Sequence, residues 1–236
     1  MDWRARIDDA LLAFWTGRDE QVARQRASGR IDAGTRGAVT GGGHLDEIAR
    51  LLADVAVAAG ADPTQTAYSG GPSARRTVLP GYYRPTKSWD LVVWESDTPI
   101  VVVELKSQVG SFGNNANNRV EESLGNPVDL RGAADARLIR GRPWTGYAYV
   151  IEDCPASRRA SRERTDVRVD AAFRDWTYVS RVGILCARMA EMGDYDATWA
   201  VATERPPAFG WSEPEPTSAG FIGFAMSMTE AIQQRL

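Results

Sequence analysis

The chain has 236 residues, 43% of them hydrophobic and 25% charged, enough for a sizeable core and ordinary for a globular protein. No run of about 18 apolar residues occurs, and the opening Met1-Asp2-Trp3-Arg4 is charged, so neither a membrane span nor a secretory signal is expected and a cytoplasmic location follows. A net charge of −3 gives no overall pull on nucleic acid, the single histidine (His44) excludes HExxH metal sites, and Cys154 and Cys186 make neither a CxxC pair nor a disulfide framework.

In chain order, Ile7, Leu11, Leu12 and Trp15 recur at helical spacing and are followed by Arg24, Arg26 and Arg30, which predicts an N-terminal helical arm over 1–40. Gly34 to Gly43 is a glycine-rich loop without the GK[ST] ending of a phosphate-gripping loop. Leu45, Ile48, Leu51, Leu52 and Val55 share one face of a helix that stops by Gly60. Gly70 to Lys87 reads as a basic loop carrying Arg75, Arg76, Arg84 and Lys87 and no acid. Trp89–Trp94 and Ile100–Lys106 are β-rich runs joined by the turn residues Ser96, Asp97, Thr98 and Pro99, a hairpin.

An asparagine-rich loop leads into helical sequence from about 117 to 139, expected to break near Gly125 and restart with Asn126 as cap and Pro127 as first residue. Thr145–Ile151 predicts a third core strand, Tyr178–Met192 a helix, Thr198–Thr203 a fourth strand, and Ala219–Leu236 a closing helix; Ser157–Arg168 is arginine-dense. This order predicts an α/β fold, a mixed central β-sheet flanked by helices, in one domain with a core over about 44–205 and a C-terminal helical extension over 206–236.

The hairpin is where chemistry gathers. Strand periodicity puts Glu104 and Lys106 on one face and Leu105 on the other. Pairing Trp94 with Ile100 would set Asp90 opposite Glu104. Two carboxylates that close repel unless a positive charge sits between them, and an oxygen-preferring cation such as Mg2+ suits that place. A lysine alongside could orient or deprotonate water, a task that needs an amine of tunable pKa rather than a guanidinium. The chain has only two lysines, Lys87 and Lys106, against 26 arginines, so a lysine here is notable. The same three charges also fit a solvated strand rim.

Beyond the strand, Asn114, Asn115, Asn117, Asn118 and Arg119 supply amide and guanidinium groups of the kind that read base edges, although asparagines also suit an ordinary turn and helix cap. Arg75, Arg76, Arg84 and Lys87 suit phosphate contacts. His44 is expected at the surface or hydrogen-bonded, Cys186 as a buried thiol, and the eight tryptophans as core.

Leu79-Pro80-Gly81-Tyr82-Tyr83-Arg84-Pro85-Thr86-Lys87-Ser88-Trp89-Asp90, Glu104-Leu105-Lys106-Ser107-Gln108-Val109-Gly110 and Gly113 to Arg119 resemble the XhoI-like type II restriction endonucleases. Weaker similarity extends over about 36–190, including Arg142-Pro143-Trp144 and Ile184-Leu185-Cys186. The resemblance implies a PD-(D/E)xK nuclease core with Asp90, Glu104 and Lys106 catalytic, and Asp90, Glu104 and the Leu105 carbonyl on Mg2+. Trp89 stands where the superfamily pattern has proline. The resemblance further implies cleavage of double-stranded DNA at a palindromic six-base site, CTCGAG in the founding members, by a homodimer, with a cognate DNA methyltransferase as functional counterpart. Superfamily members often add an acid from a preceding helix, for which Asp46 and Glu47 are candidates. Another PD-(D/E)xK repair or recombination nuclease, or a DNA-binding protein without catalysis, remains open at this point.

Overall fold

A computed structural model describes residues 2–27, 42–161, 165–215 and 220–236. The Gly34–Gly43 loop, up to Gly41, and Arg30 lie outside the described residues, as does part of the Ser157–Arg168 stretch. The elements are α1 (Trp3–Ala27), α2 (Asp46–Ala58), β1 (Thr66–Tyr68), β2 (Val78–Pro80), β3 (Thr86–Ser88), β4 (Leu91–Glu95), β5 (Thr98–Gln108), α3 (Phe112–Asp135), β6 (Trp144–Glu152), α4 (Tyr178–Glu191), β7 (Ala197–Thr203), β8 (Trp211–Ser212) and α5 (Gly220–Gln233).

Six strands form one mixed sheet in the order β1-β4-β5-β6-β7-β8. The β1, β4 and β5 strands pair antiparallel, β5, β6 and β7 run parallel, and β8 closes the far edge antiparallel. The α/β class with a helix-flanked mixed sheet is therefore the observed one. Both parallel connections step the same way across the sheet, and right-handed crossovers then place α3 and α4 on the same face. Alternation along the strands divides the core accordingly. Val93, Val101, Val103, Leu105 and Trp199 face α1, α2 and α5, while Val102, Tyr147, Tyr149 and Ala200 face α3 and α4.

The N-terminal helix packs into that first core layer through Ile7, Leu11, Phe14 and Trp15, whereas Leu12, read as part of the same stripe, is 39% exposed. The predicted stripe of α2 is buried throughout: Leu45, Ile48, Leu51, Leu52 and Val55. Thr177 and Ser180 cap α4 reciprocally, side chain to backbone, which fixes where that helix starts. Cys154 and Cys186 are free thiols, and burial pushes Cys186 up to about 12.

Three readings need correction. The segment from Gly70 to Lys87 is not a continuous loop: Ala74–Thr77 forms a 3-10 turn, and β2 pairs with β3 as a separate two-stranded ribbon. Strands of three residues are too short to register as a periodic pattern. The asparagine run is not a loop either, since α3 begins at Phe112, whose ring stacks on Tyr178 at 5.5 Å and anchors the first turn. And α3 does not break at Gly125, although Pro127 lies inside it. Pro127 has no N–H for the Ser123 carbonyl one turn back. The Tyr195 hydroxyl donates to that carbonyl instead, at 3.0 Å, so the helix continues with its acceptor satisfied.

Candidate active site

The site forms at one end of the β4–β5 hairpin. Leu91, Val92 and Val93 pair with Val103, Val102 and Val101, and the Asp90 N–H donates to the Val103 carbonyl at 3.1 Å, so Asp90 comes level with Glu104 as expected. The register beyond differs. A bulge after Val93 shifts the pairing, so that Trp94 meets Pro99, not Ile100, and Glu95 meets Thr98. The turn itself is only Ser96-Asp97, with Ser96 left-handed (φ 55°), which draws the strands together one residue earlier than a five-residue connection would.

Glu104 is 1% exposed. Its Oε1 lies 2.5 Å from the Lys106 ammonium and accepts a hydrogen bond from the Asn126 amide at 3.2 Å; its Oε2 lies 2.7 Å from the Lys87 ammonium. The two ammonium groups thus hold one carboxylate oxygen each. Asp90 turns its Oδ2 to the Leu105 N–H at 2.6 Å. Burial, with the Glu104 charge second, pushes the Asp90 carboxyl up to about 7, against the lowering pull of the Leu105 N–H and both lysines. Burial alone would raise Glu104 too, but Lys106 and Lys87 outweigh it and hold Glu104 below the ordinary glutamate range. The two acids are thereby split, one firmly ionised and one that gains its charge most readily when a cation arrives.

A partly buried polar chain braces Glu104 from α3. Asn126 donates to Glu104 and accepts from the Arg84 guanidinium at 2.9 Å. Arg84 also donates to Asp129 Oδ2 at 2.7 Å, while Asp129 Oδ1 takes the N–H groups of Tyr82 at 2.9 Å and Tyr83 at 2.7 Å. Asn126 and Asp129 lie one turn apart, which points both at the β2–β3 ribbon. Gly81 allows this docking, because a Cβ there would stand 2.7 Å from the Asp129 carboxylate. Burial acts to raise Asp129, but Arg84 and the two N–H groups outweigh it and hold its carboxyl below the usual range.

The acids open into a cleft of about 210 Å³ lined by Arg18, His44, Lys87, Ser88, Asp90, Glu104, Leu105, Lys106, Ser107 and Arg119. Arginines from α1 and α3 thus join the two lysines around two carboxylates, an environment for a polyanion. A wider cavity of about 610 Å³ runs along residues 165–175 but has no buried lining residue. Arg18 and Asn126 escaped notice in the sequence, the first because nothing local ties α1 to the hairpin, the second because a cap accounted for it. His44 is buried and hydrogen-bonded, with Nε2 2.8 Å from the Ser107 hydroxyl.

Of the other expected residues, Lys87 sits on Glu104 at the cleft and Arg84 is committed to α3. Arg119 pairs with Glu122 at 2.7 Å, Asn117 accepts from Arg181, Asn118 is exposed, Asn115 is half-buried, and the Asn114 side chain is outside the described part. Arg76 lies at the opposite end of β4, bonded to Gln65 at 2.8 Å and stacked on Trp94, next to an exposed Arg75. Asp46 faces Ser69 and Glu47 pairs with Arg50; neither lines the cleft.

Among the described residues no group of three or more His, Cys, Asp and Glu side chains could hold a metal ion. Two buried carboxylates remain, one of them neutralised by two displaceable ammonium groups, beside the Leu105 backbone carbonyl. That donor set fits Mg2+, which typically takes one or two carboxylates and fills its other positions with water and substrate phosphate.

A mixed sheet with an acid pair and a lysine at the end of its central hairpin defines a restriction-endonuclease-like nuclease. The family model described as restriction endonuclease XhoI matches residues 24–210. The type II restriction enzyme XhoI of Xanthomonas vasicola is 35% identical over 187 residues, 78% of this chain and 73% of that protein. BstVI of Geobacillus stearothermophilus is 35% identical over 190 residues (77% and 82%), and AbrI of Azospirillum brasilense 34% over 163 (67% and 70%), both also type II restriction enzymes. No solved structure matches the chain. The chain belongs to the XhoI restriction endonuclease family, whose members are type II site-specific deoxyribonucleases. No helix among the described residues is long and apolar enough to cross a membrane.

Proposed function

We propose that the protein makes Mg2+-dependent double-strand cuts at a palindromic six-base site, CTCGAG, acting in the cytoplasm as a homodimer opposite a methyltransferase that protects the same site. The observation that carries the catalytic part is Glu104, buried beside Asp90 with an ammonium group on each of its oxygens. Asp90, Glu104 and the Leu105 carbonyl would hold the ion. When bound, Mg2+ stabilises negative charge on the phosphorus centre and makes a neighbouring water easier to deprotonate. Lys106, held in place by Glu104 Oε1, would donate from its ammonium to the attacking water and orient it. Asp90, hydrogen-bonded to Leu105, keeps strand β5 in register with the loop before β4, so the two acids are preset.

Arg18 and Arg119 bind the DNA backbone at the cleft, and Asn117 and Asn118 on the exposed side of the first turns of α3 reach the bases. The specific site is supported by the resemblance of 79–119 to the family's own sequences and by relatives that are type II restriction enzymes. The test is a plasmid with a single CTCGAG, digested with and without Mg2+, its two cut ends mapped. Wild-type protein linearises it at that sequence only. Lys106→Ala leaves it uncut while still binding the duplex in Ca2+. Cutting at the wild-type rate by that variant would remove Lys106 from the mechanism.

A further inference from the structure

Both lysines of the chain converge on one carboxylate, yet they are not equivalent. Lys106 is rooted in the central strand of the sheet. Lys87 comes from the three-residue strand β3 of the outlying ribbon, reaches Glu104 across the cleft, and is also held by the Ser88 carbonyl at 3.2 Å and the Trp89 ring at 4.5 Å. Its ammonium stands 2.7 Å from Oε2, the oxygen that Asn126 and Lys106 leave to it and the one a cation would use. An ammonium and a divalent ion cannot both occupy that oxygen's front, because the like charges repel strongly in so dry a place. The Lys87 side chain is only 11% exposed, so once displaced its charge needs an anion close by. DNA supplies one in the same cleft, and a flexible four-carbon stem can follow it.

We infer that Lys87 holds the cation's place on Glu104 in the DNA-free protein and passes to a backbone phosphate when DNA binds, so that cation and DNA bind with positive coupling through this one side chain. The inference rests on the metal site proposed above. In the free protein Lys87 neutralises Glu104 and weakens cation binding. On the duplex it turns to phosphate and leaves Oε2 open. Linkage makes the effect reciprocal: the cation tightens DNA binding by the same factor by which DNA tightens cation binding.

The test is calorimetric titration of Ca2+, which needs no turnover, into wild type, Lys87→Met and Lys87→Gln, each without DNA and on a duplex containing CTCGAG. Without DNA both variants should bind Ca2+ roughly tenfold more tightly than wild type, and the gain conferred by the duplex should shrink by about the same factor. Variants that melt cooperatively yet bind Ca2+ no more tightly than wild type without DNA overturn the inference. Lys87→Gln, which keeps a polar head, decides the matter if the methionine variant does not fold. Failure of wild type to take up Ca2+ even on the duplex would overturn the metal site itself, a distinct outcome that removes the inference with it.

Discussion

The two ends of the β4–β5 hairpin carry charges of the same kinds and do opposite things with them. At the turn end, Glu95, Ser96 and Asp97 are exposed, and Arg76 lies flat on Trp94, 5.0 Å from its centroid, with the Trp94 indole donating to the Arg76 carbonyl at 3.1 Å. At the other end, roughly 13 Å along the strand at about 3.3 Å per residue, Asp90 and Glu104 are withdrawn from water and can hold charge only through their neighbours. Water does at the turn what Lys87, Lys106, Asn126 and the Leu105 N–H must do at the site. Charges that depend on each other for ionisation can change together when a ligand arrives, and charges that depend on water cannot.

The sharpest way to break that contrast is to remove the shared anion. Glu104→Gln should lower cleavage by on the order of 10³-fold, because both the cation's oxygen and the anchor of Lys106 are lost. The same variant should bind the duplex without divalent ions at least as well as wild type, since an anion facing phosphate is gone; gel-shift titration in a chelator checks it. Weaker binding by a folded Glu104→Gln would mean that DNA does not enter over this carboxylate.

Next come the braces. Asn126→Ala should cost roughly 10–100-fold in cleavage, the usual scale for an outer partner of a metal-holding carboxylate. Duplex binding in a chelator should stay near wild type, which separates it from a general loss of structure. Asp129 sharpens the contrast through pH. Its folded carboxyl is held below the unfolded value of about 3.9, so it contributes stability that is fully present above that value and lost as pH falls through it toward the folded one. Melting temperatures should show Asp129→Asn less stable than wild type at pH 7, with the gap closing below about pH 4. A gap that stays constant to pH 3 would show that the Asp129 charge is not what docks the Tyr82–Arg84 segment.

Much of this was legible in the sequence, and the part that was not has a common cause. Asp90, Glu104 and Lys106 follow from strand alternation and a short turn, both local rules, and the bulge after Val93 left their alignment intact because it falls beyond Val93 toward the turn. Asn126 and Pro127 looked like a helix restart because the group that rescues the helix, the Tyr195 hydroxyl, is 68 positions beyond Pro127 and joins β7's approach rather than α3. Tyr195→Phe should accordingly cost about 1 kcal/mol, the scale of one buried acceptor left unpaired, as read by denaturant unfolding. Lys87 reads as a phosphate contact because its neighbours in sequence are basic, and nothing local shows where its ammonium rests without DNA. Its partner in space is an acid on another strand.

The smallest effect belongs to the turn end. Arg76→Ala removes a guanidinium stacked on Trp94 and bonded to Gln65, a half-buried arrangement worth somewhat under 1 kcal/mol. Nothing links it to Glu104, so cleavage of a CTCGAG plasmid should stay within about twofold of wild type and its salt dependence should keep the same slope. Arg119→Ala, at the cleft, should flatten that slope by close to one counterion while Arg76→Ala leaves it alone. The paired measurement distinguishes DNA lying over one end of the hairpin from DNA spanning its whole length: equal slopes for the two variants would mean that the turn end touches the backbone as well, and the basic segment from Arg75 to Lys87 would then act as one surface despite being split by the fold.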